Sequence, residues 1–496
     1  MEDAIDYVES AKSLAAMEGY QRDGQPETIW PPGYPLALAL PLMLGLDSIL
    51  VFKFINNVFS AAALVFFYLA IRRFKTDWEA LLIVALLGVF YPWVHYAQSV
   101  LSEPLFSLVL ALFLFFASRY AAGGARRDLA GLTAAAMVAP LVRLAGIAVL
   151  PAWGVAVFLT RREDWRPLFR GRWRPLVKRF LLVPIVLLPI AWWFGRNLIL
   201  SGSLSGYNIG MDRFEYVQSL NSIGITEFGF WTRMRINIVG YVHIFAVPDQ
   251  QGITRISGLP LAVCAASWAF WAVAGLGWAA CLLRPHSRVP AAALASHLGM
   301  HALLGWYDVR LIVPVMVLVF LCLYEGTLLL VRAVARLPAL RPRSAEGGGQ
   351  RPAARAGGVL LVAAVVLNLC VTLFSTRGRN LRRPDRDGGR RFYQACRFLR
   401  NREPPGAVLF GGHKPGYVRM WCDRPVRSAG DLLDADGKLR SPRLPAGVRF
   451  LILYEAKITP YHEQMAALVE ENRDRLEPVF DKGSTVVYEV RNRRSG

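Results

Sequence analysis

Residues 49–75 read ILVFKFINNVFSAAALVFFYLAIRRFK. An α-helix rises about 1.5 Å per residue, so the apolar run 49–71 is long enough to cross a hydrocarbon core of about 30 Å. Arg72, Arg73 and Lys75 follow the run directly. Basic residues at the end of an apolar run are typical of the cytoplasmic end of a membrane span. The stretch therefore predicts a transmembrane helix whose C-terminal end faces the cytoplasm.

The same kind of apolar run recurs along most of the chain. We predict spans at 79–97, 105–120, 181–200, 259–283, 289–305, 311–331 and 357–375. Residues 34–47 are apolar but short and bounded by proline, which indicates a half-inserted helix that leads into the first full span. Hydrophobic residues make up 54% of the 496-residue chain, more than a soluble protein of that size can bury.

The run 129–160 is too long for one helix and too short for two full spans. Pro140, Arg143, Gly146 and Pro151 interrupt it. Proline removes a helical hydrogen bond and glycine weakens a helix, so the interruption predicts a hairpin of two short helices. Arg143 should lie near the apex of that hairpin.

Charge alternation between the runs sets the orientation. Loops rich in arginine, above all 161–179 and 332–356, alternate with loops that hold few basic residues. By the positive-inside rule this predicts about ten crossings, with both termini on the non-cytoplasmic side. The formal charge of +21 is therefore mostly a topology signal, and nucleic acid is not an expected partner.

The tail predicts a small α/β domain. Strands are expected at Ala407–Phe410, Phe450–Tyr454 and Thr485–Val490, and helices at Phe392–Asn401 and Glu463–Glu471. We predict three regions: an external segment at 1–33 with an amphipathic helix, a transmembrane domain at 34–375 and a soluble domain at 376–496. A disulfide between Cys396 and Cys422 is open if the tail lies in an oxidising compartment, and two free thiols are the alternative.

The N-terminal segment has apolar positions at helical spacing: Ala4, Tyr7, Val8, Ala11 and Leu14. This pattern predicts an amphipathic helix on the membrane surface. Asp3 stands at the start of that helix, where it is either a helix cap or a carboxylate that deprotonates an acceptor.

Several polar residues stand where the predicted topology places the outer interface. Glu103 opens one span, with Ser102 as a candidate cap, and Arg143, Arg196 and Arg310 lie in or beside apolar runs. Ionisable groups at membrane depth are costly and usually functional, and a guanidinium suits a phosphate ester. The alternative for each arginine is that it extends towards lipid head groups. Trp30 and Tyr34 fit an aromatic belt at the interface.

Other chemistries have little support in the sequence. His297 and His301 share a helix face but have no nearby third ligand, so no residue is assigned to a metal, and a divalent cation stays open as a cofactor. The sequence contains no P-loop, GxSxG elbow or Rossmann glycine pattern, which argues against nucleotide-driven transport and soluble hydrolase chemistry.

These segments together resemble the GT-C superfamily of integral membrane glycosyltransferases, in particular its bacterial protein O-mannosyltransferase and lipid A aminoarabinose transferase branch. The resemblance is carried by motifs in a fixed order: Asp3 with Tyr7, Trp30-Pro31-Pro32-Gly33-Tyr34-Pro35, Ser102-Glu103-Pro104, Val142-Arg143-Leu144, Arg196-Asn197 and Arg310-Leu311-Ile312-Val313-Pro314. It implies an all-α polytopic membrane domain with a small C-terminal extracytoplasmic α/β domain.

The resemblance also implies an activity. A sugar would pass, with inversion, from a polyprenyl-phosphate carrier to a lipid, protein or glycan acceptor on the outer face of a bacterial cytoplasmic membrane. Asp3 would be the general base, and Glu103 would help to shape the catalytic site. Residues expected to bind substrate are Tyr7, Trp30, Tyr34, Arg143, Arg196, Tyr307 and Arg310.

This sequence departs from the family pattern in two places. Members carry a transmembrane helix before the first acidic loop, and none precedes Asp3 here; some relatives have lysine at the position of Trp30. Two other function classes remain open. A flippase of lipid-linked sugars would show inverted repeats, which the sequence lacks, and a non-catalytic membrane scaffold would use the tail to bind partners.

Overall fold

The computed structural model divides the chain into two compact units. The first contains Tyr7–Phe374, and the second contains Ser375–Gly496 together with Glu2–Asp6. The structure describes residues 3–22, 24–160, 179–202, 204, 238–239, 241–242, 261–303, 309–334, 387–402, 407–410, 422, 424, 426–428, 444, 447–454, 462–482 and 485–491. The predicted span 357–375 lies outside these residues.

The first unit is helical. Its N-terminal half contains α1 (Asp3–Ala15) from Tyr7 onward, a short β1–β2 ladder (Gln21–Arg22, Gln25–Pro26), α2 (Gly33–Met43), α3 (Ile49–Ile71), α4 (Asp77–Gly88), α5 (Tyr91–Ala97) and α6 (Glu103–Gly123). There follow α7 (Arg126–Val142), a 3₁₀ turn (Leu144–Ala148), α8 (Val149–Leu159), α9 (Leu182–Ser201), α10 (Leu261–Leu283), α11 (Arg288–Leu303), α12 (Val309–Ile312) and α13 (Met316–Val334).

Five described helices are long and apolar enough to cross a membrane. They are Ile49–Ile71, Glu103–Gly123, Leu182–Ser201, Leu261–Leu283 and Arg310–Val334. The chain is therefore a multi-pass membrane protein with the predicted spans at these positions. The full count of ten stays a prediction.

Two predicted runs have an internal break. The run 79–97 was expected as one span, but α4 and α5 meet at 66°. Pro92 lies in the first turn of α5, where its ring fits the start of a new helix but not the continuation of α4. The hairpin predicted at 129–160 is confirmed, because α7 ends at Val142, a 3₁₀ turn follows Arg143, and α7 packs against α8.

Packing in this unit is centred on the segment Arg310–Val334. Of the 18-residue apolar stretch in this segment, 94% is buried inside the protein. It packs against α10, while α3, α6 and α7 pack in sequence beside one another. Lipid replaces water around such a bundle, so the outward apolar side chains of α3 and α10 need no protein cover.

The second unit is the predicted α/β domain. It contains α14 (Asp387–Arg400), β3 (Ala407–Phe410), β4 (Val426–Ser428), β5 (Val448–Tyr454), α15 (His462–Glu471), β6 (Leu476–Asp481) and β7 (Thr485–Val490). The strands form one sheet in the order β4-β3-β5-β7-β6. β3 pairs in parallel with β4 and β5, whereas β7 is antiparallel to β5 and β6.

Alternation along the strands places a core on each face of the sheet. Val408 and Phe450 pack with residues of α14, whereas the adjacent Leu409 and Leu451 pack with residues of α15. Successive strand residues point to opposite faces, so a strand covered by helices on both sides is apolar throughout. This explains the continuous apolar run Phe450–Tyr454 in the sequence.

Ion pairs link β7 to β5 and to the chain after α14. Glu489 on β7 accepts hydrogen bonds from Arg402 at 2.7 Å and pairs with Arg449 at 3.2 Å. Burial alone would raise the pKa of Glu489, but the hydrogen bonds and charges of the two guanidiniums hold it below its usual value.

Cys396 and Cys422 form a disulfide bond in the second unit. Both cysteines are fully buried, and they lie 26 residues apart in the sequence. Disulfides persist in oxidising compartments and are rare in the cytosol.

We expect replacement of both Cys396 and Cys422 by alanine to destabilise the second unit by about 3 kcal/mol, because the cross-link restricts the unfolded chain. The loss should appear as protease cleavage of the tail at lower temperature in the full-length protein. Cys264→Ala, which removes a free thiol, is the control. Alkylation of both Cys396 and Cys422 in unreduced protein would contradict the bond.

Candidate active site

A buried ion pair lies where α6 begins. Glu103 is the first residue of α6, and the adjacent Pro104 lies in the first helical turn, where its missing N–H costs nothing. The Glu103 carboxylate is 2% exposed and pairs with the guanidinium of Arg143. Arg143 has extended backbone geometry (φ −157°, ψ 137°) at the break after α7, so its side chain leaves the helical path and reaches Glu103.

A second guanidinium approaches the same carboxylate. The Nε atom of Arg310 lies 3.9 Å from Oε1 of Glu103. Arg310 belongs to the short α12, and a 3₁₀ turn with Pro314 separates it from α13. Glu103, Arg143 and Arg310 together carry one negative and two positive formal charges. We call these three residues the charge cluster.

Helix α11 contacts the backbone next to Arg310. The ring Nε2 of His297 lies 2.7 Å from the carbonyl oxygen of Leu311, the residue next to Arg310. His297 and His301 have ring centroids 4.4 Å apart, as their four-residue spacing predicts. Among the residues that the structure describes, no group of three or more His, Cys, Asp or Glu side chains is placed to hold a metal ion.

An aromatic group adjoins the charge cluster. Tyr7 packs against Trp30 and Tyr34, with ring centroids 5.1 and 4.9 Å apart. The Tyr7 hydroxyl lies 3.1 Å from Oγ of Ser102, and Arg143 Nη1 lies 3.4 Å from the same oxygen. Ser102 was predicted as a candidate cap of α6, but its side chain makes no capping bond, because it faces Tyr7 and Arg143 instead.

The face of α1 that carries Tyr7, Val8 and Ala11 is buried. The sequence predicts a helix on the membrane surface whose apolar face also includes Ala4 and Leu14. These two are only half-buried, whereas Ile5 and Ser10, which that face leaves out, are buried. Tyr7 contacts protein through Trp30, Tyr34 and Ser102, so this part of the face packs against protein rather than lipid.

Arg196 has a different set of contacts. Its guanidinium donates to the carbonyl oxygens of Glu27 at 2.8 Å and Tyr20 at 3.3 Å. The neighbouring Asn197 donates to the carbonyl of Thr28 at 3.0 Å. These bonds fasten the backbone at Tyr20, Glu27 and Thr28 to α9. Arg196 therefore acts structurally on the loop that precedes Trp30, and its predicted contact with substrate stays a prediction.

The same loop is held by its own side chains. The Glu27 carboxylate accepts hydrogen bonds from the backbone N–H groups of Ile29 at 2.7 Å and Trp30 at 3.2 Å. The Tyr20 hydroxyl donates to the carbonyl of Trp30 at 2.6 Å. Burial, followed by the charge of Glu27, raises the pKa of Tyr20 well above its usual value, so the hydroxyl stays a donor. Trp30 is thus fixed beside Tyr7.

Six of the predicted site residues come together. These are Tyr7, Trp30, Tyr34, Glu103, Arg143 and Arg310. Asp3 is the first residue of α1, and Tyr307 lies outside the described residues. Two further residues belong to this group although the sequence does not predict them as site residues: Ser102, which contacts Tyr7 and Arg143, and Asn56, whose amide contacts the Tyr34 hydroxyl. The signal for Asn56 was a polar amide inside an apolar span.

The fold matches solved structures over nearly the whole chain. ArnT from Cupriavidus metallidurans in the apo state is 12% identical, with a TM-score of 0.59, and the match covers 98% of this chain and 92% of that one. ArnT from the same organism bound to undecaprenyl phosphate is 13% identical, with a TM-score of 0.57, and the match covers 98% and 93%.

A third match is the apo oligosaccharyltransferase from Archaeoglobus fulgidus, at 12% identity and a TM-score of 0.52, which covers 99% of this chain and 71% of that one. No protein-family model and no curated protein matches the sequence. The expected fold class is confirmed: a polytopic helical membrane domain, followed along the chain by a small α/β domain, with the fold of these solved structures.

Proposed function

We propose that this protein is a membrane glycosyltransferase that transfers a sugar from a polyprenyl-phosphate-linked donor to an acceptor. The single observation that carries the proposal is the charge cluster, in which Arg143 and Arg310 meet at Glu103 on the membrane domain. The shared fold supports it, because one ArnT structure contains undecaprenyl phosphate and an oligosaccharyltransferase structure contains a tethered acceptor peptide.

The two arginines are suited to the phosphate of the donor. A guanidinium presents planar N–H donors that match phosphate oxygens, and it stays protonated in any protein environment. Charge develops on the phosphate oxygen as the bond to the sugar breaks. Fixed guanidiniums in a site of low dielectric constant stabilise that charge without reorganising. Glu103 would orient both side chains before the donor arrives.

The proposed transfer is a single displacement. The sequence resemblance implies that Asp3 is the general base. Asp3 takes the proton from the acceptor, and the acceptor atom forms a bond to the anomeric carbon of the sugar. The bond between that carbon and the phosphate oxygen breaks, and polyprenyl phosphate leaves with the electron pair. Attack opposite the leaving group inverts the anomeric configuration. Trp30 and Tyr34 would pack against the lipid-linked sugar beside the cluster.

The proposed location is a bacterial cytoplasmic membrane, with the reaction and the C-terminal domain on the outer face. Two observations support this orientation: the alternation of basic loops in the sequence and the disulfide between Cys396 and Cys422. The acceptor would be a lipid, a protein or a glycan on that side.

Transfer of a radiolabelled sugar from a polyprenyl-phosphate donor by the purified protein tests the proposal. We expect Asp3→Asn to lower the rate by about a hundredfold or more, since an amide cannot accept the proton. Asp6→Asn is the matched control, because both aspartates lie in the first turn of α1 and affect the helix dipole alike. Equal rates for the two variants would refute Asp3 as the base.

A further inference from the structure

Asn56 is a polar residue in the N-terminal half of α3, one of the five described helices long and apolar enough to cross a membrane. Its side chain is fully buried. A buried amide without hydrogen bonds costs several kcal/mol in an apolar medium. The residue therefore needs partners across the helix bundle.

Those partners belong to the turn before α6. The Asn56 amide nitrogen donates to the carbonyl oxygens of Ser99 at 2.5 Å and Leu101 at 3.1 Å. The Tyr34 hydroxyl lies 2.9 Å from the same nitrogen and 3.2 Å from the amide oxygen. One side chain thus holds two backbone carbonyls and the hydroxyl of an aromatic residue in the candidate site.

The turn that Asn56 holds leads directly into two residues of the candidate site. Leu101 is followed by Ser102, which contacts Tyr7 and Arg143, and by Glu103, which pairs with Arg143. A shift of the Ser99–Leu101 carbonyls would displace both side chains. Misplacement by about 1 Å is enough to reduce an enzymatic rate strongly.

We infer that Asn56 is a positioning residue of the active site. It acts through the Ser99–Leu101 turn to set the positions of Ser102 and Glu103, and through Glu103 it orients the guanidinium of Arg143 towards the donor phosphate. The inference rests on the proposed function for its last step, but the placement of the turn does not depend on any substrate.

A reporter thiol tests the placement without substrate. Ser102 is fully buried, so a Ser102→Cys side chain should react slowly with a small alkylating reagent, as read by peptide mass spectrometry. Adding Asn56→Leu should speed the labelling of this thiol. Adding Asn57→Leu should not, because Asn57 is exposed and donates to the carbonyl of Lys53 within its own helix.

Kinetics with the natural Ser102 test the consequence. Asn56→Leu should raise the KM for the polyprenyl-phosphate donor by about tenfold or more and leave the KM for the acceptor unchanged, whereas Asn57→Leu should alter neither. A variant that only lost folded protein would lower the apparent kcat and keep both KM values. If Asn56→Leu does not fold, Asn56→Ser, which keeps one donor but is shorter, is measured in the same way.

The outcomes separate the two claims. Unchanged labelling in the Asn56 variants overturns the inference whether or not the protein transfers sugar. Faster labelling with an unchanged donor KM also overturns it, because the turn would then move without affecting the phosphate site. Absence of transfer by the wild-type protein would refute the proposed function, while the labelling comparison would still decide whether Asn56 holds the turn.

Discussion

Arg143→Met is expected to lower the rate of sugar transfer by about a hundredfold to a thousandfold, the effect of removing one donor that stabilises charge in a transition state. Methionine keeps much of the volume but removes the guanidinium that pairs with Glu103. Glu103 would then lose its closest cation. Arg143→Lys should recover only part of the activity, because lysine keeps the charge and lacks the planar fork.

A matched control lies at the opposite ends of the same two helices. Arg119 near the end of α6 pairs with Asp128 near the start of α7 at 2.6 Å. Arg119→Met removes a comparable Arg–carboxylate pair away from the candidate site. Its rate per folded molecule should equal that of the wild type. If both variants lose the same share of this rate, loss of either ion pair between α6 and α7 has the same effect and the charge cluster has no special role.

Gly146→Ala is expected to destabilise the first unit by about 3 kcal/mol, at the upper end of the cost of overpacking. A Cβ atom at Gly146 would overlap the backbone of Ala139 and Pro140 in α7. The turn after Arg143 would have to move away from α7, which changes the path of the Arg143 side chain. Thermal unfolding in detergent measures the loss, and the transfer assay on the folded fraction measures the displacement.

Gly154→Ala is the control for that experiment. Gly154 lies in α8, and nothing stands within 4 Å of the position that its Cβ would occupy. Alanine favours a helix over glycine by up to about 1 kcal/mol, so this variant should be as stable as the wild type or more stable. Equal stability of Gly146→Ala and Gly154→Ala would show that α7 and the turn do not approach as closely as described.

Apolar runs and the residues that interrupt them predicted most of the fold from the sequence. Apolar runs located the five long helices because the bilayer requires about 20 consecutive apolar residues. Pro140, Arg143 and Gly146 located the break between α7 and α8, since each disfavours a continuous apolar helix. In the tail, β3 and β7 begin and end at the predicted residues.

Features that depend on neighbours were not predicted. β4 has three residues, and β6 contains Pro478 between Glu477 and a final Asp481, so neither shows the apolar pattern of a buried strand. The same holds for the site. Side-chain identity alone does not distinguish an arginine that meets a buried carboxylate from one, such as Arg196, that binds backbone carbonyls.

Three functions were compatible with the sequence: a glycosyltransferase, a flippase and a non-catalytic scaffold. The charge cluster is compatible with phosphate binding in either of the first two. They differ in whether the bond between sugar and phosphate breaks. A scaffold would neither transfer the sugar nor move the lipid-linked sugar across the membrane, so it would have no activity that depends on Arg143.

Product analysis after a single turnover tests the central claim most directly. The wild-type protein, in liposomes with a polyprenyl-phosphate-linked sugar and candidate acceptors, should release one polyprenyl phosphate for each sugar transferred. The product should have the inverted anomeric configuration. Two results would contradict the assignment as a glycosyltransferase. The donor could be recovered intact on the other leaflet, or it could remain intact and in place with every acceptor.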